Sequence, residues 1–209
     1  MANYARLLNT DSPISDLGSL VDAEGRPTVD HVETTGPGYH LPIPWLCFFR
    51  PDDMRPVSVL TEDLDGNVER ISVKLPCTTV EQAIGNLEQA LPLFEKIVGD
   101  HALALSYWEN AMSYLRGLPL AYLTFDPLEI IMMTGPLTKS EELVDALSGT
   151  DAAIPYLIDY APYEEGCLPY PREVMMAPPS NYDQRRMGNA VSLDVYADCS
   201  SWYRVGDAA

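Results

Sequence analysis

The chain has 209 residues, 46% of them hydrophobic, enough to bury one substantial core within a single domain. Thirteen Lys and Arg stand against 31 Asp and Glu, a formal charge of −18 and a sequence pI near 4.3. Such a field repels nucleic acid and anionic membrane surfaces and speeds the encounter with basic proteins, so the expected partner is neither nucleic acid nor membrane.

The N-terminal ten residues lack an apolar stretch of signal-peptide length, and the longest apolar run, residues 41–49, contains two prolines, so neither exports nor spans. Cys47, Cys77, Cys167 and Cys199 form no C-x-x-C pair and read as small buried hydrophobes in a reducing compartment. The expected location is the cytoplasm.

In chain order, residues 4–8 form a short apolar run with Arg6 in its middle and read as a strand. Residues 11–38 are rich in Gly, Pro, Asp and Thr; Ile14, Leu17, Leu20 and Val21 offer one helical turn, and the rest is expected as loop. Residues 41–49 fit a strand or a short helix buried on both sides, with order beginning at Trp45 after Pro42 and Pro44. Two β-rich runs, 56–62 and 68–75, flank Asp65-Gly66, whose glycine supplies the positive φ of a tight turn, and predict a hairpin. Asp63 and Asp65 resemble a calcium loop, but the glycine falls two positions too early and the twelfth position is Lys74.

At Thr78 the period changes. Thr78-Thr79-Val80-Glu81 predicts a capping box, and Val80, Ile84, Leu87, Leu91, Phe94 and Ile97 follow at helical spacing, with Pro92 expected to kink or split the helix near Glu88. Gly99 stops it and Asp100 caps a second helix with the stripe Ala102, Leu105, Trp108, Met112 and Leu115, ending at Gly117. Residues 120–125 form a strand; Asp126-Pro127-Leu128-Glu129 then reads as a turn into a further strand through Met133, with a helix start as the alternative. A short helix over 141–147 closes the regular core, about residues 41–149. The irregular segment 154–189 carries six prolines, Pro155, Pro162, Pro169, Pro171, Pro178 and Pro179, and is expected to wrap the surface. Residues 191–197 alternate as a late strand, with Trp202 and Tyr203 in a final run. The fold class is α+β, an antiparallel sheet packed against a central pair of amphipathic helices.

The sequence holds no G-x-S-x-G, phosphate-loop or metal-ligand spacing, and its three histidines lie far apart, so no catalytic residue, metal or cofactor is assigned. The informative feature is distribution. Between Gly117 and Pro171 stand nine acids, Asp126, Glu129, Glu141, Glu142, Asp145, Asp151, Asp159, Glu164 and Glu165, and one base, Lys139. Tyr160, Tyr163 and Tyr170 interleave the later acids. Acids steer a basic partner while tyrosines supply anchor area, so these twelve residues are the candidate partner-binding set. A bland alternative is that the tyrosines pin the proline loop and the acids face water.

Met1-Ala2-Asn3-Tyr4, the Ile43-Pro44 pair leading into an apolar run, the two central helices, and Leu128-Glu129-Ile130-Ile131-Met132-Met133 after a strand resemble a group of small acidic bacterial proteins. Those proteins are found beside polymorphic or type VI secretion toxins and are regarded as immunity proteins; the resemblance covers about residues 1–147. It implies a cytoplasmic, non-enzymatic inhibitor that binds a cognate toxin, with a basic nuclease suited to the charge, and transfers no catalytic residues. A regulatory or scaffolding module and a small hydrolase with scattered carboxylates are the alternatives.

Overall fold

A computed structural model describes residues 4–20, 28, 30–36, 42–62, 66–131, 143, 144, 147, 199 and 202–204. Along the chain run β1 (Arg6–Thr10), β2 (His31–Thr35), α1 (Ile43–Cys47), β3 (Met54–Glu62), β4 (Val68–Thr79) and α2 (Val80–Glu88). After them come α3 (Leu91–Val98), α4 (His101–Arg116), β5 (Tyr122–Asp126), α5 (Leu128–Ile131) and β6 (Tyr203–Arg204). The strands form one six-stranded sheet in the order β3-β4-β5-β1-β2-β6, every pair antiparallel. The α+β class expected from the sequence is the observed one.

β4 serves two partners. Its first nine residues pair with β3, from Met54 opposite Pro76 to Glu62 opposite Val68, and its last three pair with β5. The change falls at Pro76, where the missing N–H cannot continue a ladder. The buried apolar residues fall in two clusters. Leu7, opposite Phe125, joins Trp45, Phe48, Phe49, Leu87, Phe94 and Leu115 on the helical side. Leu8, the next residue, joins Ile14, Val57, Val59, Val73 and Leu75 under the hairpin. Period two in β1 thus feeds both layers.

The helices follow their caps. Thr79, not Thr78, is the N-cap of α2, its oxygen accepting the Gln82 N–H at 3.1 Å. β4 runs one residue further than the capping box allows, so Thr79, opposite Tyr122, is both its last residue and the cap. Pro92 splits the helix as anticipated, α2 ending at Glu88 and α3 opening with Pro92 in its first turn. Gly99 closes α3 at φ 75°, and Asp100 caps α4 by accepting the Leu103 N–H at 2.9 Å. The buried face of α4 is Ala104, Tyr107, Ala111, Met112 and Leu115, rotated from the predicted stripe, with Ala102 exposed. Alanines at 104 and 111 let α4 lie close against the other helices, which an apolar count that favours large side chains does not reveal.

Three further departures have local causes. Within the apolar run, Ile43–Cys47 form the helix α1 with Pro44 in its first turn, the helix starting at Ile43 where order was expected from Trp45. His31–Thr35, placed in a loop from composition, is the strand β2; it pairs with β1 over five residues, and tertiary pairing overrides its mixed local preference. Residues 128–131 form the helix α5, not a turn into a strand, because the Asp126 carboxylate accepts the Leu128 N–H at 3.0 Å and Pro127 suits the first helical turn. The predicted elements over 154–189 and 191–197 lie outside the described residues, as does most of 141–147, of which Leu143 and Val144 are helical. Trp202 joins the helical-side core, its ring centroid 5.3 Å from Trp45 and 4.9 Å from Tyr114.

Candidate functional site

Two clefts open on the hairpin side of the sheet. The larger, about 460 Å³, is lined by Arg6, the 3-10 turn at Leu17 and Gly18, the Val59–Thr61 stretch of β3, and Leu128 and Glu129 of α5. Its floor is apolar and its end is charged. At that end the Arg6 guanidinium donates to Asp126 at 2.5 Å, the carboxylate being 1% exposed and the guanidinium side chain 30%. Burial alone would lower the Arg6 pKa, but Asp126, Glu33 and Glu129 together outweigh it and hold it above its ordinary value. Three carboxylates therefore act electrostatically on one cation. Glu129 lies at the exposed rim, where it also accepts the Tyr4 N–H at 3.1 Å. Across the hairpin, Arg70 is ion-paired with Asp16 and donates to the Ser58 hydroxyl at 3.1 Å.

One wall of this cleft is the strand β3. β3 stands at the end of the strand order, and Ser15 bridges to it where the Ser58 N–H donates to the Ser15 carbonyl at 2.8 Å. Since alternate residues of an antiparallel strand direct both main-chain groups to the same side, Pro56, Leu60 and Glu62 share the outward direction of Ser58. Pro56 fits that scheme, for its missing N–H falls where no ladder bond is lost. Leu60 is 52% exposed beside the cleft, and Gly18 gives it room, since a Cβ there would stand 3.2 Å from Leu60 Cδ1.

The second cleft, about 420 Å³, is lined by Pro13, Ile14, Asp53, Arg55, Cys77, Thr79, Gln82 and Tyr122 among others. Asp53 is buried and accepts the Arg50 N–H at 2.7 Å, and Arg55 donates to the Asp52 carbonyl at 2.7 Å. Burial raises the Cys77 thiol, opposed by the neighbouring Thr124 hydroxyl and Arg55. That keeps the thiol protonated and a poor nucleophile. Among the described residues no group of three His, Cys, Asp or Glu is arranged to hold a metal ion. No helix among them is long and apolar enough to cross a membrane.

Of the twelve residues singled out from the sequence, two are described. Asp126 does not face a partner: it is buried, pairing Arg6 with one oxygen and capping α5 with the other. Glu129 is exposed at the cleft rim. Glu141, Glu142, Asp145, Asp151, Asp159, Tyr160, Tyr163, Glu164, Glu165 and Tyr170 lie outside the described residues. Sequence reasoning passed over Arg6, Glu33 and Leu60. The signals were an arginine inside an apolar run and a proline at an outward position of a predicted strand.

The fold is an antiparallel α+β arrangement. Comparison with known proteins finds no match for this chain among family models, curated proteins or solved structures.

Proposed function

We propose that the chain is a cytoplasmic immunity-type protein that binds and neutralises a cognate basic toxin without catalysing a reaction. The observation that carries this reading is the charge of −18 on 209 residues, which gives a basic partner a steered, fast encounter and penalises acidic competitors. The resemblance to acidic immunity proteins and the three carboxylates gathered around Arg6 support the same direction. The proposed partner residues are Glu129 and, later in the sequence, Glu141, Glu142, Asp145, Asp151, Asp159, Glu164 and Glu165, with Tyr160, Tyr163 and Tyr170 as anchors. Expression of the neighbouring open reading frame, alone and with this chain, tests it: the product is expected to be toxic alone and harmless in a stable complex. A harmless product, or one this chain does not bind, ends the immunity reading.

A further inference from the structure

The second cleft gathers polar groups that the fold leaves with spare hydrogen-bonding capacity. It lies where the 13–15 segment, the start of β3, the end of β4 and the first turn of α2 meet, and its volume of about 420 Å³ is that of a small-molecule site. Among the described residues its charged lining is one acid, Asp53, and one base, Arg55. Asp53 is 3% exposed, and the hydrogen bond its carboxylate accepts among those residues is from the Arg50 N–H, at 2.7 Å. Arg55 is exposed and engages Nη1 alone, on the Asp52 and Met54 carbonyls. The Gln82 and Tyr122 side chains, on the same walls, make no hydrogen bond among the described residues.

Asp53 and Arg55 face one space without pairing to each other. Burial dominates the Cys77 thiol in this cleft, and of the two charges that act on it Arg55 lowers its pKa and Asp53 raises it. No ion pair joins the two among the described residues. That arrangement sets the chemistry of an occupant. An amine alone would meet Asp53 and be repelled by Arg55, a carboxylate alone would meet Arg55 and be repelled by Asp53, and a molecule bearing both groups gains at each end. A buried carboxylate with one N–H is the demanding end, and an ammonium brings it three donors. The two residues are separated by one position, so their Cα atoms stand at most about 7 Å apart. So short a span suits opposite charges carried on a single carbon. Pro13, Ile14 and Pro56 leave apolar wall beside them.

We propose that this cleft binds a free α-amino acid with an apolar side chain. The ammonium meets Asp53, the carboxylate meets Arg55, the Gln82 amide and Tyr122 hydroxyl add polar contacts, and the side chain lies against Ile14 and the prolines. The site is separate from the capture of a basic protein and does not rest on it. Because its walls come from the 13–15 segment, β3, β4 and α2, an occupant bound only by the folded chain also raises the thermal midpoint.

The test is calorimetric titration of the full chain with leucine, methionine and phenylalanine, each up to about 10 mM. The best of the three is expected to bind once per chain and to shift the amide resonances of Ile14, Asp53 and Gln82. Its amine and its carboxylic acid analogues, each lacking one charged group, are expected to bind at least about tenfold more weakly, as loss of a charge-assisted hydrogen bond requires. Arg55→Gln changes an exposed side chain, so the fold is kept; it is expected to weaken the amino acid by about tenfold and to leave the amine no weaker. Asp53→Asn keeps an oxygen for the Arg50 N–H and is expected to weaken the amino acid by a similar factor while leaving the carboxylic acid no weaker. No binding of any of the three, shifts that avoid those amides, analogues as tight as the parent, or full affinity in both variants overturns the inference.

Discussion

Asp126 shows how one residue can look like a surface charge and act as a structural one. Its two oxygens are committed to Arg6 and to the Leu128 N–H, at 1% exposure, so removing the arginine strands a buried carboxylate. Arg6→Ala is expected to lower unfolding free energy by about 2–4 kcal/mol in urea denaturation, the lower half of that range reflecting the guanidinium's partial exposure. A loss under about 0.5 kcal/mol would place the pair among inconsequential surface bridges. Asn9 is similarly committed: its amide donates to the Leu120 and Tyr122 carbonyls at 2.9 and 2.7 Å and accepts the Leu120 N–H at 3.0 Å, fixing the entry to β5. Asn9→Ala leaves those main-chain groups unpaired near the core and is expected to cost about 2–3 kcal/mol, read from the same denaturation midpoint.

Cys47 carries a pH dependence. Complete burial pushes its thiol from 9.0 up to about 12, despite Arg50 pulling the other way. Above about pH 9 the unfolded chain releases this proton and the folded chain retains it, so stability falls as pH rises towards 12, by at most about 1.4 kcal/mol per pH unit from this group. Cys47→Ala is expected to flatten the alkaline limb of stability against pH, with the shallower contribution of Cys77 remaining. An unchanged limb in that variant would mean that Cys47 is not sealed in the folded state.

At the scale of elements, the helices depend on punctuation that sequence displays openly. Gly99 at φ 75° ends α3 in the left-handed region, and Gly99→Ala is expected to cost about 1 kcal/mol, seen as a lower thermal midpoint without loss of the helical signal. The cap at Asp100, the split before Pro92 and the hairpin around Gly66 are legible for the same reason, each being decided by residues adjacent in the chain, and the cap of α2 is legible to within one residue, expected at Thr78 and found at Thr79. β2 is not decided that way. His31–Thr35 becomes a strand because β1 offers five pairing positions, a fact located more than twenty residues away. The buried face of α4 also escapes local reading, since Ala104 and Ala111 are chosen for closeness to other helices. The candidate site was legible only as an excess of acid: Glu129 is exposed, while the inward turn of Asp126 follows from its pairing with Arg6 across the β1–β5 register.

At the scale of the whole molecule, the proposed capture of a basic partner rests on the net charge of −18. Charge of this size acts before contact, raising the rate of encounter with a basic protein in a way that salt screens within about 8–10 Å. Short-range contacts act after encounter and set how long a complex lasts. The two contributions separate in kinetics. The most direct measurement is stopped-flow association of the purified chain with the neighbouring gene product across a salt series from about 0.02 to 0.5 M. The expected result is an association rate that falls at least about tenfold while dissociation changes by less than about twofold. Absence of binding, or an association rate that ignores salt, would contradict electrostatic capture of a basic partner.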